Sequence, residues 1–310
     1  MVDSKQIDLA MKVGGMVILA VIILFLLTWS GFVKCNAIPY WCNIYESVMG
    51  GPRVLIVYGD DGMGDPSLLK DIMQDPQQVG VQAVDLAHID RVSISNLKNY
   101  KLVIVDHCQK VTLDQLSMFM AYVNQNGGRL VWTGDAGTVK GDDEVTNFSD
   151  INALAKVADN AWVRVKETET DFEVVNFDQF LGARYVNSFC NLTDCKPQKS
   201  SVGILKTETT GNHPLIFGAS PALQLKIVKD HPFAVVRPFA NASNSNVVLS
   251  LEFGSVVVAK GITLPKSIPM IMTAGFGERV AYYAYPPEYY VQDNNYYTFM
   301  KNMYYGMLGK

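Results

Sequence analysis

Lys101–Thr138, KLVIVDHCQKVTLDQLSMFMAYVNQNGGRLVWTGDAGT, decides the fold. Lys101–Asp106 is a short apolar run rich in Val and Ile, too short for a helix and without polar alternation, so it reads as a strand covered on both faces. A helix follows. Thr112 or Asp114 can cap it, Leu113, Leu116, Met120 and Val123 recur at helical spacing, and Asn126-Gly127-Gly128 supplies residues that accept positive φ at its end. Arg129–Thr133 is a second buried strand, breaking at Gly134-Asp135-Ala136-Gly137. Two such strands joined through a helix form a right-handed parallel βαβ unit. Ligands of open parallel sheets bind outside the carboxyl ends of the strands, so chemistry is expected at Asp106-His107-Cys108 and at the glycine-flanked Asp135.

Upstream, Arg53–Tyr58 is another buried strand, ending in the acidic turn Gly59-Asp60-Asp61-Gly62-Met63-Gly64-Asp65-Pro66. This turn has neither GxGxxG nor GK[ST], and its carboxylates repel phosphate, which argues against a nucleotide. Pro66–Met73 suits a helix and Val81–Leu86 a third parallel strand, giving β-α-β-(loop or short helix)-β-α-β. Asp150–Ala158 adds a helix. From about residue 160 to 264 the pattern breaks into short β-like pieces, Val163–Lys166, Val202–Lys206, Leu223–Val228, Ala234–Arg237, Val247–Leu251 and Val256–Ala259. These read as an antiparallel extension of the sheet or as a small β-rich subdomain. The α/β pattern returns with Ile268–Ala274, Arg279–Ala284 and a last helix over Asn294–Leu308, with Tyr297, Met300, Tyr304 and Met307 on one packed face. The expected domain, residues 53–310, is a flavodoxin-like, doubly wound, mostly parallel α/β sheet carrying this β-rich insertion. Alternation buries part of the tyrosine row Tyr282, Tyr283, Tyr285, Tyr289 and Tyr290, and leaves Tyr289 and Tyr290 as an interface candidate.

The chain has 310 residues, 49% of them hydrophobic, and a net charge of −4. No basic cluster offers a phosphate-binding face, which argues against nucleic acid. Val13–Val33 is uncharged and rich in Ile, Leu and Val, long enough to cross a hydrocarbon core of about 30 Å. The expected layout is therefore a short inside tail (1–12), a transmembrane signal anchor (13–33), a juxtamembrane linker (34–52), and an extracytoplasmic domain of a single-pass cell-membrane protein. Cys35 with Cys42, and Cys190 with Cys195, are close enough for two local disulfides in an oxidising compartment, and sequons stand at Asn147, Asn191 and Asn241. The sequons fit an archaeal surface glycoprotein or a eukaryotic luminal one, and the compact layout favours the archaeal one.

Asp60, Asp61, Asp106 and Asp135 converge on the crevice if their strands are neighbours. Asp60, Asp106 and Asp135 would then suit Mg²⁺ or Ca²⁺. The plainer reading, which we prefer, is that Asp caps helices and forms turns in βα loops, and that no cofactor is needed. Cys108 lies beside His107, but neighbours in a strand face opposite ways, so Cys108 reads as a buried free thiol. His213 and His231, each before proline, read as loop residues.

RVLIVYGDDG, KLVIVDHC, NQNGGRLVWTGDAG, the segment Asn212–Gly218 and the late GFGERVAYYAYPPE together resemble the class I glutamine amidotransferase-like fold, particularly its ThuA-like and GIFT-type branches. The resemblance spans most of 53–310. It implies that a catalytic cysteine would sit in an elbow after Arg129–Thr133, where this chain has Asp135 and no later His-x-Glu. Glutaminase chemistry is then absent. GIFT-type domains serve as complex subunits in oligosaccharyltransferase, gliding-motility and intraflagellar-transport proteins. The expected function is thus a non-catalytic binding or scaffold domain held at the outer face of a membrane, with membrane or surface proteins as partners. The alternative is a metal-assisted hydrolase or carbohydrate-active enzyme using the acidic crevice.

Overall fold

The computed structural model describes residues 4–29, isolated positions between 33 and 48, and residues 53–142, 144–145, 160–168, 171–193, 201–208, 213–239, 245–253, 258–259 and 262–309. The chain divides into two compact units, Met1–Gly51 with Gly309–Lys310, and Pro52–Leu308.

In the first unit, helix α1 (Ser4–Trp29) begins polar, with Lys5, Asp8 and Lys12, and ends apolar. Its apolar side chains from Val13 to Leu27 are largely exposed. The helix stops short of the predicted Val33. Trp41, only 5% exposed, folds back on its end, donating its indole N–H to Thr28 Oγ1 at 2.9 Å and meeting Phe25 edge-on at 4.8 Å. The uncharged part, Val13–Trp29, rises about 25 Å at 1.5 Å per residue, less than a bilayer core of about 30 Å. Among the described residues no helix is long and apolar enough to cross a membrane. This overturns the expected single-pass anchor, together with the membrane partner and the cell-membrane localisation inferred from it. Cys35 and Cys42 lie outside the described residues.

The second unit is α/β. In chain order it runs β1 (Val54–Tyr58), α2 (Pro66–Gln74), β2 (Val84–His88), α3 (Ile94–Leu97), β3 (Leu102–Val105), α4 (Leu113–Asn124), β4 (Arg129–Thr133), β5 (Val163–Glu167) and β6 (Phe172–Asn176). It continues with α5 (Phe177–Leu181), β7 (Ala183–Ser188), α6 (Phe189–Leu192), β8 (Ser201–Thr207), β9 (Ala222–Ile227), β10 (Ala234–Pro238) and β11 (Asn246–Glu252). It closes with β12 (Val258–Ala259), β13 (Ile262–Thr263), β14 (Ser267–Ala274), β15 (Val280–Tyr283), α7 (Pro287–Asn294) and α8 (Tyr297–Leu308).

One nine-stranded sheet carries the fold, in the order β2-β1-β3-β4-β15-β14-β11-β8-β9. The first five strands are parallel and the last four alternate antiparallel, so the central sheet is mostly parallel with an antiparallel extension, as the sequence suggests. Parallel strands are buried on both faces, which is why they read as unbroken Val/Ile/Leu runs. Ile56, fully buried, pairs with Leu86 on one side and Ile104 on the other. The β1-α2-β2 crossover runs one way along the sheet and β3-α4-β4 the other. Right-handed crossovers then place α2 and α4 on opposite faces. Helix α4 starts at a Thr112–Gln115 capping box and buries Leu113, Leu116, Phe119, Tyr122 and Val123. Helix α8 starts at Tyr297, three residues later than expected, because Asn295 adopts the left-handed conformation that ends α7. Tyr297 itself is exposed.

The irregular middle does both of the things left open by its sequence. Strands β8, β9 and β11 extend the central sheet, while β5 with β6, β7 with β10, and β12 with β13 form separate two-stranded pairs. The expected helix Asp150–Ala158 lies outside the described residues. At the far edge, β9 is closed off by side chains: Asn294 Oδ1 accepts the Lys226 N–H at 2.8 Å, and the Tyr296 hydroxyl donates to Gln224 O.

A buried ion pair ties β5 to the loops beneath it. Arg164 and Glu144, both with fully buried side chains, meet at 2.8 Å. Arg164 also donates to the carbonyls of Gly137 and Val139, and Glu144 Oε1 accepts the N–H groups of Leu113 and Gly141 at 2.9 Å. Removing one partner strands the other charge without water. We expect Glu144→Ala or Arg164→Ala to lower unfolding free energy by about 3–5 kcal/mol in urea titrations, and the double variant to lose less than the sum.

Candidate functional site

The direction of winding reverses between β1 and β3, and ligands of such sheets bind at that switch point. The loop after β1, Gly59–Asp65, and the turn after β3, Asp106–Gln109, are laced together there. Gly59 N donates to His107 O at 2.9 Å, His107 N to Met63 O at 2.9 Å, and Gln109 N to Asp61 O at 2.7 Å. His107 sits at φ 47°, a strained left-handed position for a residue with a side chain, so the chain turns sharply out of β3. Gly64, at φ 115°, is required: a Cβ there would lie 2.3 Å from Asp106 Oδ1.

Three consecutive N–H groups of the β1 loop point away from any strand, those of Met63 and Gly64 buried and that of Asp65 partly so, and each is received by a side chain far along the chain. Met63 N donates to Asp135 Oδ1 at 2.7 Å, Gly64 N to the Tyr289 hydroxyl at 3.1 Å, and Asp65 N to Glu288 Oε1 at 2.7 Å. Asp65 in turn caps α2 through its carboxylate. Asp135 Oδ2 takes the Gln109 amide at 2.9 Å. Burial raises the pKa of Asp135. Asp106 is fully buried and accepts from Thr133 Oγ1 at 2.6 Å, and burial pushes its carboxyl up to about 7.

The four aspartates named from the sequence thus occupy two levels. Asp60 and Asp61 stand on the rim of an open crevice of ≈ 390 Å³, shared with His88, Asp90, Gln109 and Lys110. Asp106 and Asp135 lie beneath it, bound into the scaffold. His88 Nε2 is 3.2 Å from Asp60 Oδ1, and His88 Nδ1 accepts the Asp90 N–H at 3.4 Å. Lys110 is paired with Asp142 at 2.9 Å. Asp60, with a 96% exposed side chain, cannot join Asp106 and Asp135 around one ion, and no group of three or more His, Cys, Asp or Glu among the described residues could hold a metal. The expected Mg²⁺ or Ca²⁺ site on Asp60, Asp106 and Asp135 is corrected accordingly.

Cys108 is fully buried, and its thiol is pushed up to about 12, first by burial and then by the surrounding aspartates. Cys190 is disulfide-bonded and Asn191 is exposed, whereas Cys195, Asn147 and Asn241 lie outside the described residues. The tyrosine interface is also corrected. Tyr289 is 6% exposed and Tyr290 fully buried, because the first holds Gly64 and the second packs on Tyr285 and Phe299. His213 caps the short turn at Pro214–Ile216 and binds Glu278 at 2.9 Å. His231 stacks on Tyr289 and binds Asp293 at 2.9 Å, which also takes the Tyr285 hydroxyl.

Sequence reasoning missed Glu288, Gln109, His88 and Asp90. Glu288 had a signal: it is the lone charge in the aromatic run Val280–Val291. The other three gave none, since polar residues after strands are commonplace.

No family model matches the sequence, and no curated protein sequence does. Solved structures do. A putative ThuA-like protein from Bacteroides uniformis superposes with a TM-score of 0.53 at 12% identity, over 83% of this chain and 92% of that one. A putative ThuA-like protein from Parabacteroides merdae gives 0.42 at 13% identity, over 76% and 79%. A putative GMP synthase protein from Thermoplasma acidophilum gives 0.45 at 10% identity, over 83% and 94%. At these identities the likeness concerns architecture alone, and the match to the Bacteroides uniformis protein gives the Pro52–Leu308 unit the ThuA-like, glutamine amidotransferase-like fold.

Proposed function

We propose that the Pro52–Leu308 unit is a non-catalytic binding or scaffold domain, one component of a larger assembly. One observation carries this reading: the side chains with catalytic chemistry at the strand ends are already occupied in holding the β1 loop. Asp135, which stands where the resembled amidotransferases place a cysteine, has both carboxylate oxygens engaged, by Met63 N–H and the Gln109 amide. An aspartate forms no thioester, and the nearest thiol, Cys108, is buried and held protonated. What remains open is the crevice rim. With Asp60, Asp61, His88 and Asp90 it presents a solvated, negatively charged surface suited to recognition.

The hydrolase reading would require that rim to work alone, without the buried carboxylates. We expect the purified full-length chain to turn over no chromogenic glycoside, carboxylic ester or phosphate ester above the buffer rate, with or without Mg²⁺ or Ca²⁺. Turnover abolished by Asp60→Asn with Asp61→Asn would replace the scaffold reading with the hydrolase one. The scaffold reading further requires that the chain isolated from its native source sit in one stoichiometric assembly that re-forms from purified components. A second expectation concerns Cys108. Its alkylation at pH 8 should run on the order of a thousandfold slower in the folded protein than after unfolding, from the lower thiolate fraction alone. Rapid labelling of the native thiol, followed by mass spectrometry, would return Cys108 to the list of nucleophiles.

A further inference from the structure

Asp106 and Glu288 are both fully buried, and each has one oxygen with a donor and one without. Asp106 Oδ1 takes the Thr133 hydroxyl and Glu288 Oε1 takes the Asp65 N–H. Asp106 Oδ2 and Glu288 Oε2 reach neither water nor any donor among the described residues. The two acids close on the same two residues of the β1 loop. The Asp106 carboxyl lies against the Cα of Gly64, where a Cβ would sit 2.3 Å from its oxygen, and Glu288 holds the next N–H, that of Asp65. Asp106 is also the foremost charge acting on Glu288. Two buried oxygens beside the same stretch of loop, each lacking a donor, are satisfied together when one carboxyl is protonated and donates to the other.

We propose that Asp106 and Glu288 form a proton-retaining carboxyl pair, a latch that clamps the crevice loop Gly59–Asp65 onto α7 and slackens when the pair loses its proton. The surrounding groups favour retention. Asp65 faces the pair from the β1 loop, Asp135 and the neutral Thr133 from the end of β4, His107 from the end of β3, and Tyr289 from α7. None of these supplies a permanent positive charge. Burial is the largest influence on both acids, pushing Asp106 up to about 7 and Glu288 well above its ordinary value. The sign follows from linkage. The unfolded chain releases these protons near pH 4, whereas the native pair keeps them, so its contribution is complete below about pH 4 and declines as pH rises through about 7. Because the loop's other end carries Asp60 and Asp61, loss of the proton also changes the mouth of the crevice.

The test uses amide hydrogen exchange of the full chain, corrected for intrinsic rates. In the wild type the Gly64 and Asp65 amides should lose protection between pH 4 and pH 7 by up to about tenfold per pH unit, the limit for release of one proton. Asp106→Asn and Glu288→Gln each place an amide N–H where the proton sits, and should flatten that profile. Unchanged wild-type protection across this range would overturn the proposal, as would a variant with the same pH dependence as the wild type. Infrared spectroscopy provides a readout independent of stability: a protonated-carboxyl C=O band at pH 7 that disappears in the double variant Asp106→Asn/Glu288→Gln. Its absence from the wild type would overturn the proposal even if neither variant folds.

Discussion

Three consecutive backbone N–H groups, those of Met63, Gly64 and Asp65, leave β1 with no strand to receive them, and the rest of the site is arranged around that fact. A buried amide without an acceptor costs about as much as a broken hydrogen bond, so acceptors must be brought to it. They come from the end of β4 and from the first turn of α7, more than seventy and more than two hundred residues downstream. The loop can close over β3 only because Gly64 has no Cβ to strike Asp106. Conformation, acceptors and the burial of Asp106 therefore stand or fall together. This is why side chains that look catalytic in type serve here as supports.

The parallel half of the sheet was legible because its physics is local. Strands buried on both faces are continuous apolar runs, and α4 announces itself with a threonine, a glutamine three residues on, and a closing Asn-Gly-Gly. Its buried face was legible only in part. Phe119 and Tyr122 fill the core and Met120 lies at the margin, since the choice between neighbouring positions is made by the sheet beneath. Strands β6 and β7 escaped notice because their side chains are mostly exposed or half-exposed and show no clean alternation.

What could not be read locally was long-range pairing. Asp60 and Asp106 both follow a strand, yet one ends at the rim and the other beneath it, and only the path of the intervening loop separates them. From their place after Pro286-Pro287, Tyr289 and Tyr290 read as part of an open surface. The need of Gly64 for an acceptor draws the first inward, and Phe299 covers the second. Hydropathy likewise extends the apolar run of α1 to Val33, because the return of Trp41 to Thr28 leaves no trace in a sliding average.

The closed edge at β9 has a consequence for how this chain can meet others. Gln224 and Lys226 are the positions where an incoming strand would form its first ladder hydrogen bonds, and Tyr296 and Asn294 already hold them. The sheet thus has an end-stop on its antiparallel side. A partner arriving there must recognise side chains rather than backbone, and a fibre cannot grow from that edge by simple strand addition while the segment joining α7 to α8 keeps its place.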